Sequence, residues 1–100
     1  MANTFTVLFR GAASTSSTTL YTVPAATQTL VTSFVVTNTT GSNATYTITM
    51  DGVDVVKDAA VAPNDSYVIE FKQLLNATEI LAASASSTSV NFSVSGLEIS

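Results

Sequence analysis

Ala44-Thr45-Tyr46-Thr47-Ile48-Thr49-Met50-Asp51-Gly52-Val53-Asp54-Val55-Val56-Lys57 carries the clearest structural signal in the chain. Ala44, Tyr46, Ile48 and Met50 alternate with Thr45, Thr47 and Thr49, the period of a half-buried antiparallel strand whose outer face is coated with hydroxyls. Asp51-Gly52 is a two-residue hairpin signal, because Gly accepts a positive φ and Asp tolerates one. Val53–Lys57 is therefore predicted to return beside Thr45–Met50 as a short strand.

The same period-two pattern extends outward in both directions. Thr4–Arg10 reads as a strand with Phe5, Val7 and Phe9 on one face, and Gly11–Ser17 as a small-residue linker or flexible loop. Thr19–Val23 is a short strand ended by Pro24, which has no N–H for a central ladder. Thr27–Asn38 is the longest strand, with Leu30, Phe34 and Val36 facing one way and Val31 and Val35 the other. After the hairpin, Pro63-Asn64-Asp65 marks a turn into a strand with Tyr67, Ile69 and Phe71 on one face and Val68 and Glu70 opposite. Leu74-Leu75-Asn76-Ala77 reads as a helical turn or a bend into Glu79–Ala83. The Ala/Ser/Thr tract Ala82–Ser89 reads as strand plus loop. Val90, Phe92 and Val94 form a last strand whose apolar parity changes at Leu97 and Ile99, with Gly96 as the natural bulge position. About seven to eight short strands and scarce helix signals predict an all-β chain, an antiparallel β-sandwich with Greek-key or jelly-roll connections; a small closed barrel is the alternative. Residues 1–100 read as a single domain. Within it, 1–17 is a strand or an interface arm followed by a flexible loop: an intramolecular first strand is preferred over an arm that adds a strand to a neighbouring subunit.

The chemistry available to this fold is narrow. The 100 residues include no His, Cys or Trp, while 30 are Ser or Thr. Thiol nucleophiles and His-based acid–base systems are therefore excluded, and no cofactor or metal is expected. Only Arg10, Lys57 and Lys72 oppose seven carboxylates, for a formal charge of −4. Three cations make no track for a polyphosphate, so no nucleic-acid partner is expected. No apolar run approaches the roughly 20 residues that span a bilayer, and Met1–Ala13 lacks the basic-then-apolar order of a secretory leader. At 10% charged residues the surface must consist largely of hydroxyls, amides and Ala. Such a surface loses little solvation when a partner covers it and repels its own copies weakly.

Candidate sites follow from the few reactive side chains. Asp51, Asp54 and Asp58 crowd one hairpin, but they lack the spacing of a calcium loop and read as solubilising charges. Asp65 with Ser66 lacks an activating base. Glu70 with Glu79 would need a carbohydrate groove between them. Neither supports catalysis, and the chain is expected not to be an enzyme. Triplets beginning at Asn38, Asn43, Asn64, Asn76 and Asn91 match the glycosylation pattern, which arises readily in a chain so rich in Ser and Thr. Among the tyrosines, Tyr46 and Tyr67 read as core residues, whereas Tyr21 with Val23 and Pro24 is a candidate subunit contact. Phe5, Val7 and Phe9 form the other candidate interface.

Leu20–Ala25, then Thr32–Asn38 with Thr39, Thr40 and Gly41, then the Asp51-Gly52 hairpin resemble small structural proteins of tailed bacteriophages. Val61–Ser66, Leu74–Glu79 and Val90–Ile99 continue the likeness, so it covers roughly Leu20 to Ile99. Two positions depart from that pattern: Ala26 stands where a Pro-Ala-Gly turn is common, and Thr78 where Asn-Ala-Gly is usual. The resemblance implies a virion component, foremost a head decoration (cement) protein. It would be a homo-oligomer, with a trimer favoured, bound to the major capsid protein on the outer surface of the head, with no small-molecule ligand. The alternative is a tail- or fibre-associated receptor- or carbohydrate-binding module in which Tyr21 or Tyr46 stacks on a sugar.

Overall fold

Eight strands form the chain: β1 (Asn3–Ala12), β2 (Thr18–Thr22), β3 (Gln28–Asn38), β4 (Ala44–Met50), β5 (Val53–Val61), β6 (Ser66–Leu75), β7 (Ile80–Ala85) and β8 (Val90–Ile99). The computed structural model describes residues 3–100. Met1, Ala2 and the side chain of Phe71 lie outside the described residues, and with them the facing of Phe71 and the start of the Met1–Ala13 segment.

The strands make two four-stranded sheets, β1-β8-β3-β6 (sheet A) and β2-β7-β4-β5 (sheet B), and every pairing is antiparallel. The pairs β4–β5, β3–β6, β2–β7 and β1–β8 are nested about the Asp51-Gly52 turn. The chain is thus one long hairpin folded at its middle and wrapped over two sheets, with every connection except β4–β5 crossing between them. That winding is the jelly roll, which resolves the two connection schemes and sets the barrel aside. Asp51 and Gly52 adopt φ of 52° and 81°, as a type I′ hairpin requires. The return strand β5 runs to Val61 and is longer than the sequence pattern indicated. Leu74 and Leu75 belong to β6, so the expected helical turn is instead the bend at 76–79. β1 pairs with β8 of its own chain from Asn3 to Ala12.

The core lies between the sheets around Phe34 and Phe92, whose rings meet edge to face at 5.1 Å, with Val31, Val36, Ile48, Leu81 and Val94 fully buried about them. Sheet A departs from simple alternation at one level. β1 carries an extra residue, Leu8, against β8, and β3 carries an extra residue, Thr32, against β8. The Thr32 hydroxyl donates to the Ser95 carbonyl at 3.1 Å and satisfies the interrupted ladder. β8 itself keeps its alternation, so Gly96 is not a bulge. Its missing side chain makes room for Leu8, and a Cβ there would fall 2.9 Å from Leu8 Cδ1 and 2.6 Å from the Leu30 carbonyl oxygen. The extra residues invert the expected facing: Val31, Phe34 and Val36 point inward and Leu30 and Val35 outward. Likewise Phe9 packs on the core, while Phe5 and Val7 face solvent.

The crossing loops pair as the strands do. At one end Thr78 N–H donates to the Val23 carbonyl and Val23 N–H to that of Glu79, each at 3.0 Å. At the other end Asn38, 1% exposed, donates from Nδ2 to the carbonyls of Ser42, Val61 and Ala62. Its Oδ1 accepts from Thr40 N–H and Oγ1, and its backbone N–H reaches the Asp65 carbonyl. One buried amide therefore ties the β3–β4 and β5–β6 loops together.

At the folding point, partial desolvation and the neighbouring Glu79 carboxylate raise the Asp51 carboxyl above its ordinary 3.8. The folded chain thus favours the protonated form, and stability from this group is lost as pH rises above 3.8 through the raised value. Asp51→Asn should raise the melting temperature relative to the parent, by an offset that grows as pH rises from 3.8 through the raised value and then levels off; an offset independent of pH would contradict the pairing. Two further substitutions test the backbone. Gly96→Ala should lower unfolding free energy by about 2–3 kcal/mol in urea titration, because the Leu30 carbonyl cannot move aside independently. Thr78 holds φ of 69°, costly for a β-branched residue, so Thr78→Gly should stabilise by about 0.5–1 kcal/mol.

Candidate interaction surfaces

The outer faces of the two sheets differ in chemistry. On sheet B, Thr45, Thr47 and Thr49 of β4 lie beside Ala60 and Asp54 of β5 and Ser84 and Ala82 of β7. The Asp58 N–H donates to Thr47 Oγ1 at 3.0 Å. This is the hydroxyl-coated face implied by the alternation in β4. Asp54 and Asp58 sit against Thr49 and Thr47, while Asp51 turns to Glu79. Among the described residues no group of three or more carboxylates is placed to hold a metal ion.

The outer face of sheet A is mixed and is crossed by an apolar row. Phe5 pairs with Leu97, Leu97 with Leu30 and Leu30 with Leu74, giving one row across all four strands. Phe5 is 76% exposed and Leu74 49%, with Leu97 and Leu30 half-buried between them. Val7 stands beside the row, and Ile99 lies one outward position beyond Leu97. Farther along, Arg10, Ser93, Val35 and Val68 form a second row, in which the Arg10 Nε–H donates to Ser93 Oγ at 3.2 Å. Separately, Val53 and Val55 on the edge strand β5 and Tyr67 on the edge strand β6 are exposed, and Val56 and Ile69 are partly buried against the core. Edge pairing is obstructed: β1, β2, β5 and β6 each contain a register irregularity, a common means of blunting open edges.

Of the six sequence-derived interface residues, Phe5, Val7 and Pro24 lie on the surface. Phe9 is partly buried on the core because the Leu8 bulge moves it to the inner face. Val23 is 1% exposed and has no free surface to offer. Tyr21 is an inter-sheet strut: its hydroxyl donates to the Glu98 carboxylate and lies 3.0 Å from Thr29 Oγ1. Desolvation, then the Glu98 contact, raises its pKa above the ordinary phenol value. Tyr46 is buried, and desolvation followed by its neighbour Tyr67 raises its pKa. Tyr67, expected in the core, points inward from an edge strand but is left part-exposed by that position. Sequence alone did not single out Leu30, Leu74, Leu97 and Ile99: the β3 bulge turns Leu30 outward, whereas Leu97 and Ile99 face outward because β8 alternates without a bulge, and Leu74 because β6 continues as a strand.

The remaining polar candidates are dispersed. Asp65 Oδ1 accepts from Ser66 N–H at 2.8 Å, Glu70 on the edge strand β6 pairs with Ser33, and Glu79 Oε1 accepts from Asn76 N–H. Two shallow clefts lie on the surface: one of about 270 Å³ near Arg10, Val35 and Asn91, and one of about 450 Å³ near Gln28, Asn76 and Ile99.

No protein family and no curated protein matches the chain. Among solved structures it is similar to two crystal structures of a pentameric capsid protein isolated from metagenomic phage sequences. One is 18% identical, with 91% of this chain and 59% of that one covered and a TM-score of 0.41. The other is 20% identical, with coverage of 91% and 60% and a TM-score of 0.40. It is also similar to the Agl-KA catalytic domain, at 12% identity, coverage of 98% and 26% and a TM-score of 0.44. The chain thus spans about three fifths of those capsid proteins and about a quarter of the Agl-KA structure.

Proposed function

We propose that this chain is a non-enzymatic structural protein of a phage virion, a head decoration (cement) protein that binds the outer surface of the major capsid protein shell and braces it. The observation that carries the reading is an eight-stranded jelly roll with two separate exposed apolar surfaces, one across sheet A and one along β5 and β6. Jelly rolls are a recurrent architecture of viral capsids, and a module with two contact surfaces can hold more than one neighbour in a lattice. Release then requires several contacts to break together, which strengthens the shell without strong single interfaces. The dispersed carboxylates and the absence of His and Cys from the sequence favour contact over catalysis. The carbohydrate-binding alternative is weakened because Tyr46 is buried and the Tyr21 hydroxyl is engaged inside the sandwich.

Immunogold electron microscopy of purified virions of the phage that encodes the chain, with antibodies to the folded protein, tests this assignment. Label distributed over the heads is the expected outcome. Label confined to tails, or none on purified virions, would overturn it.

A further inference from the structure

From the self-complementarity of sheet A we infer that its outer face binds a second copy of this chain, face to face about a two-fold axis parallel to the strands between β8 and β3. The order β1-β8-β3-β6 places β1 of one copy over β6 of the other and β8 over β3. The row Phe5–Leu97–Leu30–Leu74 then lies on its own reverse, with Phe5 against Leu74 and Leu97 against Leu30. An apolar row with this order satisfies the requirement of a two-fold interface, in which one patch must complement itself.

Charge and area agree with that occupant. Arg10 is level with Val68, and Glu70 lies two residues along β6 on the same outer face. The axis carries Arg10 over the other copy's Val68, about 7 Å along the strand from its Glu70, within reach of a guanidinium. The contact therefore forms twice. Four strands about 4.8 Å apart and ten residues long present about 630 Å² in projection, at the lower end of the area per partner in stable interfaces. Ser33, Ser93 and Ser95 on the central strands keep the middle of the face low, so the sheets can approach at the usual spacing of about 10 Å. The inference does not depend on the virion assignment.

The test is light scattering and native mass spectrometry of the purified full chain at about 100 μM, a concentration that populates micromolar complexes. The expected species has twice the 10.3 kDa chain mass. Phe5→Asp with Leu74→Asp, both at exposed positions, should give a folded monomer with an unchanged circular dichroism spectrum. Val55→Asp on the other surface should remain dimeric. Arg10→Glu and Glu70→Arg should each weaken association about tenfold, and their combination should restore it. A monomeric or trimeric parent would overturn the inference. So would a dimer that survives Phe5→Asp with Leu74→Asp but dissociates with Val55→Asp, or charge variants without mutual rescue.

Discussion

The register step beside Gly96 governs which residues this protein shows to its surroundings. β1 and β3 each place one more residue than β8 along the same length, and side-chain facing has period two, so each extra residue exchanges the faces of everything beyond it. Gly96 makes the step possible, since Leu8 and the Leu30 carbonyl occupy the space a side chain would need. Inside, the step keeps Val31, Phe34 and Val36 in one core. Outside, it brings Leu30 level with Leu97, Phe5 and Leu74.

The nested winding explains why such a small chain can hold this arrangement. The turn at Asp51-Gly52 starts a pairing that proceeds outward from β4–β5 to β1–β8, and each crossing loop meets its counterpart through backbone hydrogen bonds. Asn38 supplies what loop backbones cannot, with a buried side chain that serves five hydrogen bonds. Positive φ recurs at the tight connections, at Ala26, Asn64 and Thr78, and at Asp58 where the register of β5 shifts. At Ala26 and Thr78 the backbone has the geometry that favours Gly.

The alternation of Ala44–Met50 and the Asp51-Gly52 turn made the central hairpin legible, and the tally of short strands made the sandwich legible. Strand pairing across the sandwich was not, because nested and other Greek-key windings share the same local pattern. The interface was the least legible part. Phe5, Val7 and Phe9 share a parity in sequence, yet a single bulge at Leu8 splits them between surface and core. Leu30 reads as interior until the extra residue Thr32 in β3 is known, and Leu97 and Ile99 read as interior only if β8 is bulged at Gly96, which it is not. Tyr21, with Val23 and Pro24, suggested a contact because a tyrosine offers a rigid apolar ring and a polar tip, but its hydroxyl finds Glu98 and Thr29 across the sandwich. Glu98 is 77 residues distant in sequence and Thr29 8, and no alternation pattern links either to Tyr21.

One outer face is coated with hydroxyls and the other is crossed by an apolar row, an asymmetry that gives the sandwich a direction. The most direct measurement of its origin is the set of side-chain nuclear Overhauser contacts in sheet A of the isotopically labelled full chain. The account predicts contacts of Leu97 with Phe5 and Leu30, of Leu30 with Leu74, and of Leu8 with Gly96. Contacts of Leu30 with Phe34 and Ile48 in the core would mean unbroken alternation through β3, and would contradict both the register step and the apolar outer face built on it.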